Sequence, residues 1–308
     1  MLLKKNIPLS YVFGKIKLEL ILLTIYSIAV YFEHTQLGFS NFSIPLAIPG
    51  ILGTIISLLL AFRSNQAYDR WWEARSLWGA IVNDSRSFAR QVLTFIDTSD
   101  GNQEKLLIKE RMIKRQIIWN YSLSCHLRKQ DASQCLDKYI SEEERNVVGN
   151  AMHIPLALME QHGNDLRTLL RNKWINEFQQ VAMDDTLTRF SNAMGACERI
   201  KNTVFPVTYS FYIHLVVLLF VLILPFGLIE HVGIFQIPLV VAISCSFFLI
   251  EKMAIHLQDP FENKPTDTPT TTISRKIEQD LKQMLAKDDK VEPAKELEGP
   301  EEPTFYIL

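Results

Sequence analysis

The stretch from Asn41 to Phe62, NFSIPLAIPGILGTIISLLLAF, constrains this chain more than any other, because it holds no charged residue. In water a helix of this composition would need burial on every side. At about 1.5 Å per residue it reaches roughly 30 Å, the thickness of a bilayer's hydrocarbon core. Three further runs behave alike. Thr203–Leu228 is interrupted by a single histidine, His214, Gly233–Ile250 carries no charge, and Leu18–Phe32 carries only Glu19 near its start. A soluble core imitates one such helix but hardly three, so the sequence predicts an all-α polytopic membrane protein with four transmembrane helices.

Lysine and arginine orient the spans. Lys4, Lys5, Lys15 and Lys17 precede the first, Arg63, Arg70 and Arg75 follow the second, Arg199 and Lys201 precede the third, and Lys252 follows the fourth. The connectors Glu33–Ser40 and Ile229–Val232 contain neither residue. Both termini and the long middle are therefore expected in the cytoplasm, of a bacterial inner membrane by the resemblance given below. No small-residue cleavage site follows the first apolar run, so a cleavable signal peptide is not expected. The chain divides into residues 1–62 with two spans, a cytoplasmic domain 63–202, residues 203–252 with two more spans, and a C-terminal arm, short helix and tail over 253–308.

The middle reads as helices. Leu77, Ile81, Phe88, Val92 and Ile96 recur at helical spacing, as do Leu106, Ile113, Ile117 and Tyr121. Gly101 within Asp97–Asn102 separates these two helices, and Gly149–Leu158 and His162–Asp165 are read as further breaks. All five tryptophans, Trp71, Trp72, Trp78, Trp119 and Trp174, fall here and are expected to pack this body. A thin helical body on four spans has apolar faces to cover, which points to a homo-oligomer. Ile273, Ile277, Leu281 and Leu285 mark a short amphipathic helix after a Pro- and Thr-rich arm; from Ala286 the chain turns charged.

Enzymatic motifs are missing: GxGxxG, GxxxxGK[ST], GxSxG and HExxH do not occur. A net charge of -2 across 308 residues gives no general attraction to nucleic acid. Cys125-His126 near Cys135 is the closest approach to a metal cluster, and it reads as ordinary thiols, so no metal and no cofactor are expected. Of the ionisable groups in the spans, Glu19 can reach the headgroups and His214 is expected to bond a neighbouring helix. A proton-coupled transporter would want more buried carboxylates. A membrane-anchored scaffold stays as a competing reading.

Arg63–Gly79, RSNQAYDRWWEARSLWG, follows directly on the Pro- and Gly-containing second span. With GACERIKNT (Gly195–Thr203) and LQDPFEN (Leu257–Asn263), it resembles the bestrophin family of ion channels, in particular its bacterial branch. The resemblance implies a homopentamer in membrane lipid, with one axial pore for monovalent ions. It places a hydrophobic neck at Thr54, Leu58 and Phe62, whose spacing of four keeps them near one stripe of a helix. It places a cytoplasmic aperture at Phe178, with Val181 as the alternative one turn on. Arg63, Asp69, Arg70, Trp71, Trp72 and Glu73 are expected to lock the pore helix to its surroundings. Selectivity stays open between chloride, which the family label favours, and sodium or potassium, which the bacterial character of the motif favours. The acidic run of calcium-activated members is missing, since Asp259, Glu262 and Asp267 are interrupted by Lys264 and prolines. No calcium activation is expected.

Overall fold

The computed structural model describes residues 9–36, 44–133, 139–203 and 206–289. Among these residues there are helices and no strands. In chain order they are α1 (Leu9–Gly14), α2 (Lys17–Gln36), α3 (Ala47–Phe95), α4 (Gln103–Leu127), α5 (Glu142–Gly149), α6 (Ile154–Arg171), α7 (Glu177–Asn202), α8 (Val207–Val232), α9 (Gln236–Gln258) and α10 (Thr270–Asp289). They form two compact units. Among the described residues, one holds those of 72–203 and 260–289; the other holds those of 9–71 and 206–259. The 49-residue helix α3 contributes to both.

The apolar unit packs α2, the first part of α3, α8 and α9. Among the described residues, three helical runs are long and apolar enough to cross a membrane: Lys17–Gln36, Ala47–Phe95 and Thr208–Gln258. The last of these folds back on itself through a 3₁₀ turn at Gly233–Phe235. Gly233 has φ 55°, a left-handed conformation that costs glycine least, and it ends α8 there. The two arms are antiparallel: His214 meets Glu251, and Phe220 meets Phe247 edge-on at 5.2 Å. Ile56, Leu60, Val217, Phe220, Val240 and Phe248 form the core. At Gly227 a Cβ would stand 2.8 Å from the ring of Pro49, so glycine lets α8 approach the start of α3.

The second unit has its own core, to which α3 gives Trp78, Ile81, Phe88 and Val92, α4 gives Ile113 and Trp119, α7 gives Met183 and Phe190, and α10 gives Ile277 and Leu281. Phe190 lies at its centre, 5.0 Å from Trp119 and 6.2 Å from Phe88 between ring centroids. Asn102 caps α4, and a reciprocal Asn176–Gln179 capping box opens α7. The expected amphipathic helix is α10. It runs on to Asp289, past Ala286 where the sequence turns charged.

Asp97–Asn102 does separate α3 from α4, the Gly149–Leu158 break holds only up to Ile154, and the His162–Asp165 break does not exist. α5 ends at Gly149, and α6 starts at Ile154 with Pro155 in its first turn, where a missing N–H costs nothing. His162–Asp165, in contrast, lies inside α6. Packing overrides the local signal. Arg111 and Arg115 both hold the Asp165 carboxylate, and Arg115 also holds Glu144. The His162 ring is fully buried, edge-on to Phe88 at 4.9 Å.

This burial makes His162 a source of pH-dependent stability. Desolvation, and after it repulsion from Arg115, holds its pKa well below the ordinary 6.5. The folded chain keeps it neutral, while the unfolded chain takes up a proton as the pH falls through about 6.5. Its contribution is therefore complete above that value and declines below it, by about 1.4 kcal/mol per pH unit. Between pH 6.5 and 5.0, His162→Phe should lose about 2 kcal/mol less stability than the parent, measured by denaturant unfolding at each pH. Equal pH slopes for the two proteins would contradict this.

Candidate pore helix and its anchors

Along α3 two stripes alternate with the helical period. Ile56, Leu60, Arg63 and Ala67 are buried in the apolar unit. Ile51, Thr54, Ile55, Leu58 and Phe62 lie on the exposed side. Leu58 is 59% exposed and Phe62 63%. These large apolar side chains find no partner within one chain, so lipid or another subunit must cover them. Thr54 lies on the same stripe, and its hydroxyl donates to the Gly50 carbonyl at 3.0 Å. That donor is used up inside the helix, which makes Thr54 less polar toward its surroundings than its residue type suggests.

Arg63, on the buried stripe, reaches into the interior of the apolar unit. Its Nη2 donates to Ser210 Oγ at 2.9 Å, and its Nη1 is 3.7 Å from Glu251 Oε1, both residues being only 2% exposed. On the other side of Glu251 stands His214, with Nδ1 3.1 Å from Oε2. The expected bond of His214 to a neighbouring helix is thus made to α9. Glu251 is the residue that sequence reading passed over. It sits one position beyond the apolar run Gly233–Ile250, and only the hairpin of α8 and α9 turns it onto Arg63. The other candidate, Glu19, pairs with Lys252 at 3.3 Å.

The remaining motif residues divide between the two units. In the apolar unit Arg70 Nε donates to the carbonyl of Gln258, the last residue of α9, at 2.9 Å, and the Trp71 ring lies 5.9 Å from Tyr68. In the helical unit Glu73 accepts from Arg199 at 2.5 Å, and Lys201 pairs with Glu262. The pairs of Arg199 and Lys201 thus join segments separated in sequence. Asp69 is exposed. Trp72 departs from expectation. It is 56% exposed instead of packing the helical body; Trp78 and Trp119 are the fully buried tryptophans. The reason is register: α3 buries Ala74, Trp78 and Ile81, and Trp72 falls on the opposite face.

Phe178, second residue of α7, is 87% exposed, and Val181 one turn on is 58% exposed. A phenylalanine held so openly at a capped helix start is unusual for a soluble surface. Of the three acidic residues in the arm, Glu262 is engaged by Lys201, and Asp267 Oδ2 accepts the backbone N–H of Glu262 and of Lys264. Burial pushes the Cys197 thiol up to about 12, with Glu198 and Glu73 adding to it, so this thiol stays protonated. Cys135 lies outside the described residues.

The comparisons agree with one another. Residues 6–283 match the family described as bacterial/fungal bestrophin protein. The voltage-dependent anion channel-forming protein YneE of Escherichia coli K12 is 33% identical over 92% of this chain and 90% of its own. A protein with the same channel-forming description from Ralstonia nicotianae is 32% identical over 76% of each chain. The crystal structure of a bacterial bestrophin homologue from Klebsiella pneumoniae superposes with a TM-score of 0.82 at 25% identity, covering 88% of this chain and 98% of that one. The Escherichia coli and Ralstonia relatives are both described as forming voltage-dependent anion channels. The match over nearly the whole chain, on an all-helical fold with apolar membrane helices, establishes that this protein belongs to the bacterial and fungal bestrophin family.

Proposed function

We propose that five copies of this chain assemble around an axis in the bacterial inner membrane and pass monovalent anions downhill. Four helices, α2, the first part of α3, α8 and α9, cross the bilayer, and both termini face the cytoplasm, as the lysine and arginine flanks direct. The observation that carries this reading is the exposed stripe of α3. Leu58 and Phe62 face away from the buried side of their own unit on the longest helix of the chain. Around a fivefold axis, Thr54, Leu58 and Phe62 form three stacked rings, and Phe178 forms a second constriction. Such rings offer ions no ligands, so conduction follows the wetting of the neck. Trp72, 56% exposed on the single chain, is covered by a neighbouring subunit in this assembly, which takes its exposed ring face out of water.

Anion preference rests on the relatives, which are described as forming voltage-dependent anion channels. Reversal potentials of the reconstituted protein in asymmetric sodium chloride test it. A potential near that of chloride is expected. A potential near that of sodium would reassign the selectivity, and a silent bilayer holding intact protein would remove the channel altogether.

A further inference from the structure

Three side chains with no part in the pore converge within the helical unit. His126 stands in the last turn of α4, His153 is the N-cap of α6, and Glu198 lies on α7. One ligand atom from each lies within 4.8 Å of the other two. Glu198 Oε1 is 2.6 Å from His153 Nε2 and 3.6 Å from His126 Nε2. The imidazole rings are 4.4 Å apart between centroids. Their side chains are 25–35% exposed, open enough for water to reach the cluster.

We propose that His126, His153 and Glu198 bind one divalent transition-metal ion, zinc fitting the donor set best. Two imidazoles and a carboxylate are the donors zinc takes at about 2.0–2.2 Å, with water in a fourth, open position. Tetrahedral ligands at that range are separated by about 3.4 Å, and the two separations to Glu198, 2.6 and 3.6 Å, bracket this value. Calcium and magnesium prefer shells made entirely of oxygen, so the imidazoles select against them. Burial first, and the neighbouring His153 second, lower the pKa of His126. The ring is thus neutral at pH 7, as a metal ligand must be.

A hydrogen bond between His153 and Glu198 accounts for that pair by itself. It gives no role to a second imidazole, which would repel the first if both were protonated. A shared cation gives all three groups one purpose and ties α4, α6 and α7 together at a single point.

The ion would also act on a helix terminus. His153 Nδ1 accepts the Leu156 backbone N–H at 3.1 Å and so caps α6. The ring proton then sits on Nε2 and is donated to Glu198. Metal at Nε2 sends this proton to Nδ1, where it faces the Leu156 N–H, and the cap is given up. Ion binding and capping therefore compete for one imidazole.

The test uses the full chain in detergent, stripped with chelator and dialysed against about 10 μM zinc chloride before metal analysis, with a parallel cobalt(II) titration read by visible absorption. One zinc per chain and four-coordinate cobalt bands are expected. His126→Ala and Glu198→Gln should each weaken binding by at least about 100-fold, the upper range for loss of even an outer-shell partner. Elution volume and helicity should be unchanged. His153→Asn removes the ligand but retains a side chain able to cap, and it should lose zinc while keeping α6 intact. A parent protein that retains no zinc, zinc held equally by the variants, or cobalt in a purely octahedral spectrum would each overturn the site.

Discussion

Arg63→Ala is expected to lower the stability of the membrane unit by about 3–5 kcal/mol, the cost of breaking a buried ion pair by removing one partner. The substitution strips Glu251 of its cation while leaving the carboxylate 2% exposed among apolar helices, and it also unpairs the Ser210 hydroxyl. Against a typical total stability of about 5–15 kcal/mol, this is a large fraction. Glu251→Gln should be less harmful than Arg63→Ala, because an amide still accepts from Arg63 and from His214. The double variant Arg63→Met with Glu251→Met should recover most of the loss, since apolar groups of similar size tolerate the site once both charges are gone. Thermal unfolding of the detergent-solubilised protein checks all three. A fully stable Arg63→Ala protein would show that water reaches Glu251 and that the pair contributes little.

Leu58→Ala combined with Phe62→Ala should raise ion flux into liposomes by about tenfold, the change that accompanies about 1.4 kcal/mol removed from a barrier. Both side chains are more than half exposed on the protomer, so truncating them opens no cavity inside a subunit and fold stability should be preserved. In the proposed assembly it widens two rings at once, and a wider apolar ring stays hydrated more of the time. Thr54→Ala should have a smaller effect, because the Thr54 hydroxyl is already bonded to Gly50 and only a modest volume is lost. Flux unchanged by the double substitution, with the oligomer intact, would place this stripe against lipid and move the pore elsewhere.

Much of the architecture was legible from runs of residues alone. Charge-free stretches announce membrane helices because a bilayer core admits little else. Asp97–Asn102 and Gly149 marked true helix ends, since glycine and capping side chains act locally. The Thr54, Leu58 and Phe62 positions came from the family resemblance, and their spacing of four on α3 agrees with the exposed side they share. The misread positions share a cause. His162–Asp165 looked like a break because only distant partners, Phe88 and Arg115, make the helix worth continuing there. Trp72 looked like core because its residue type is usually buried, while the register of α3 turned it outward.

The sequence by itself determined the helical class and the membrane character, because composition and periodicity act between neighbours along the chain; its motifs carried the resemblance to the family and, through it, the expected neck positions. Tertiary structure alone decided which charges meet. Glu251 is brought to Arg63 across positions far apart in the chain, and Glu198 to His126 and His153 from three different helices. Electrostatic partners are chosen by distance in space, and no pattern along one strand of residues encodes that distance before the helices have packed.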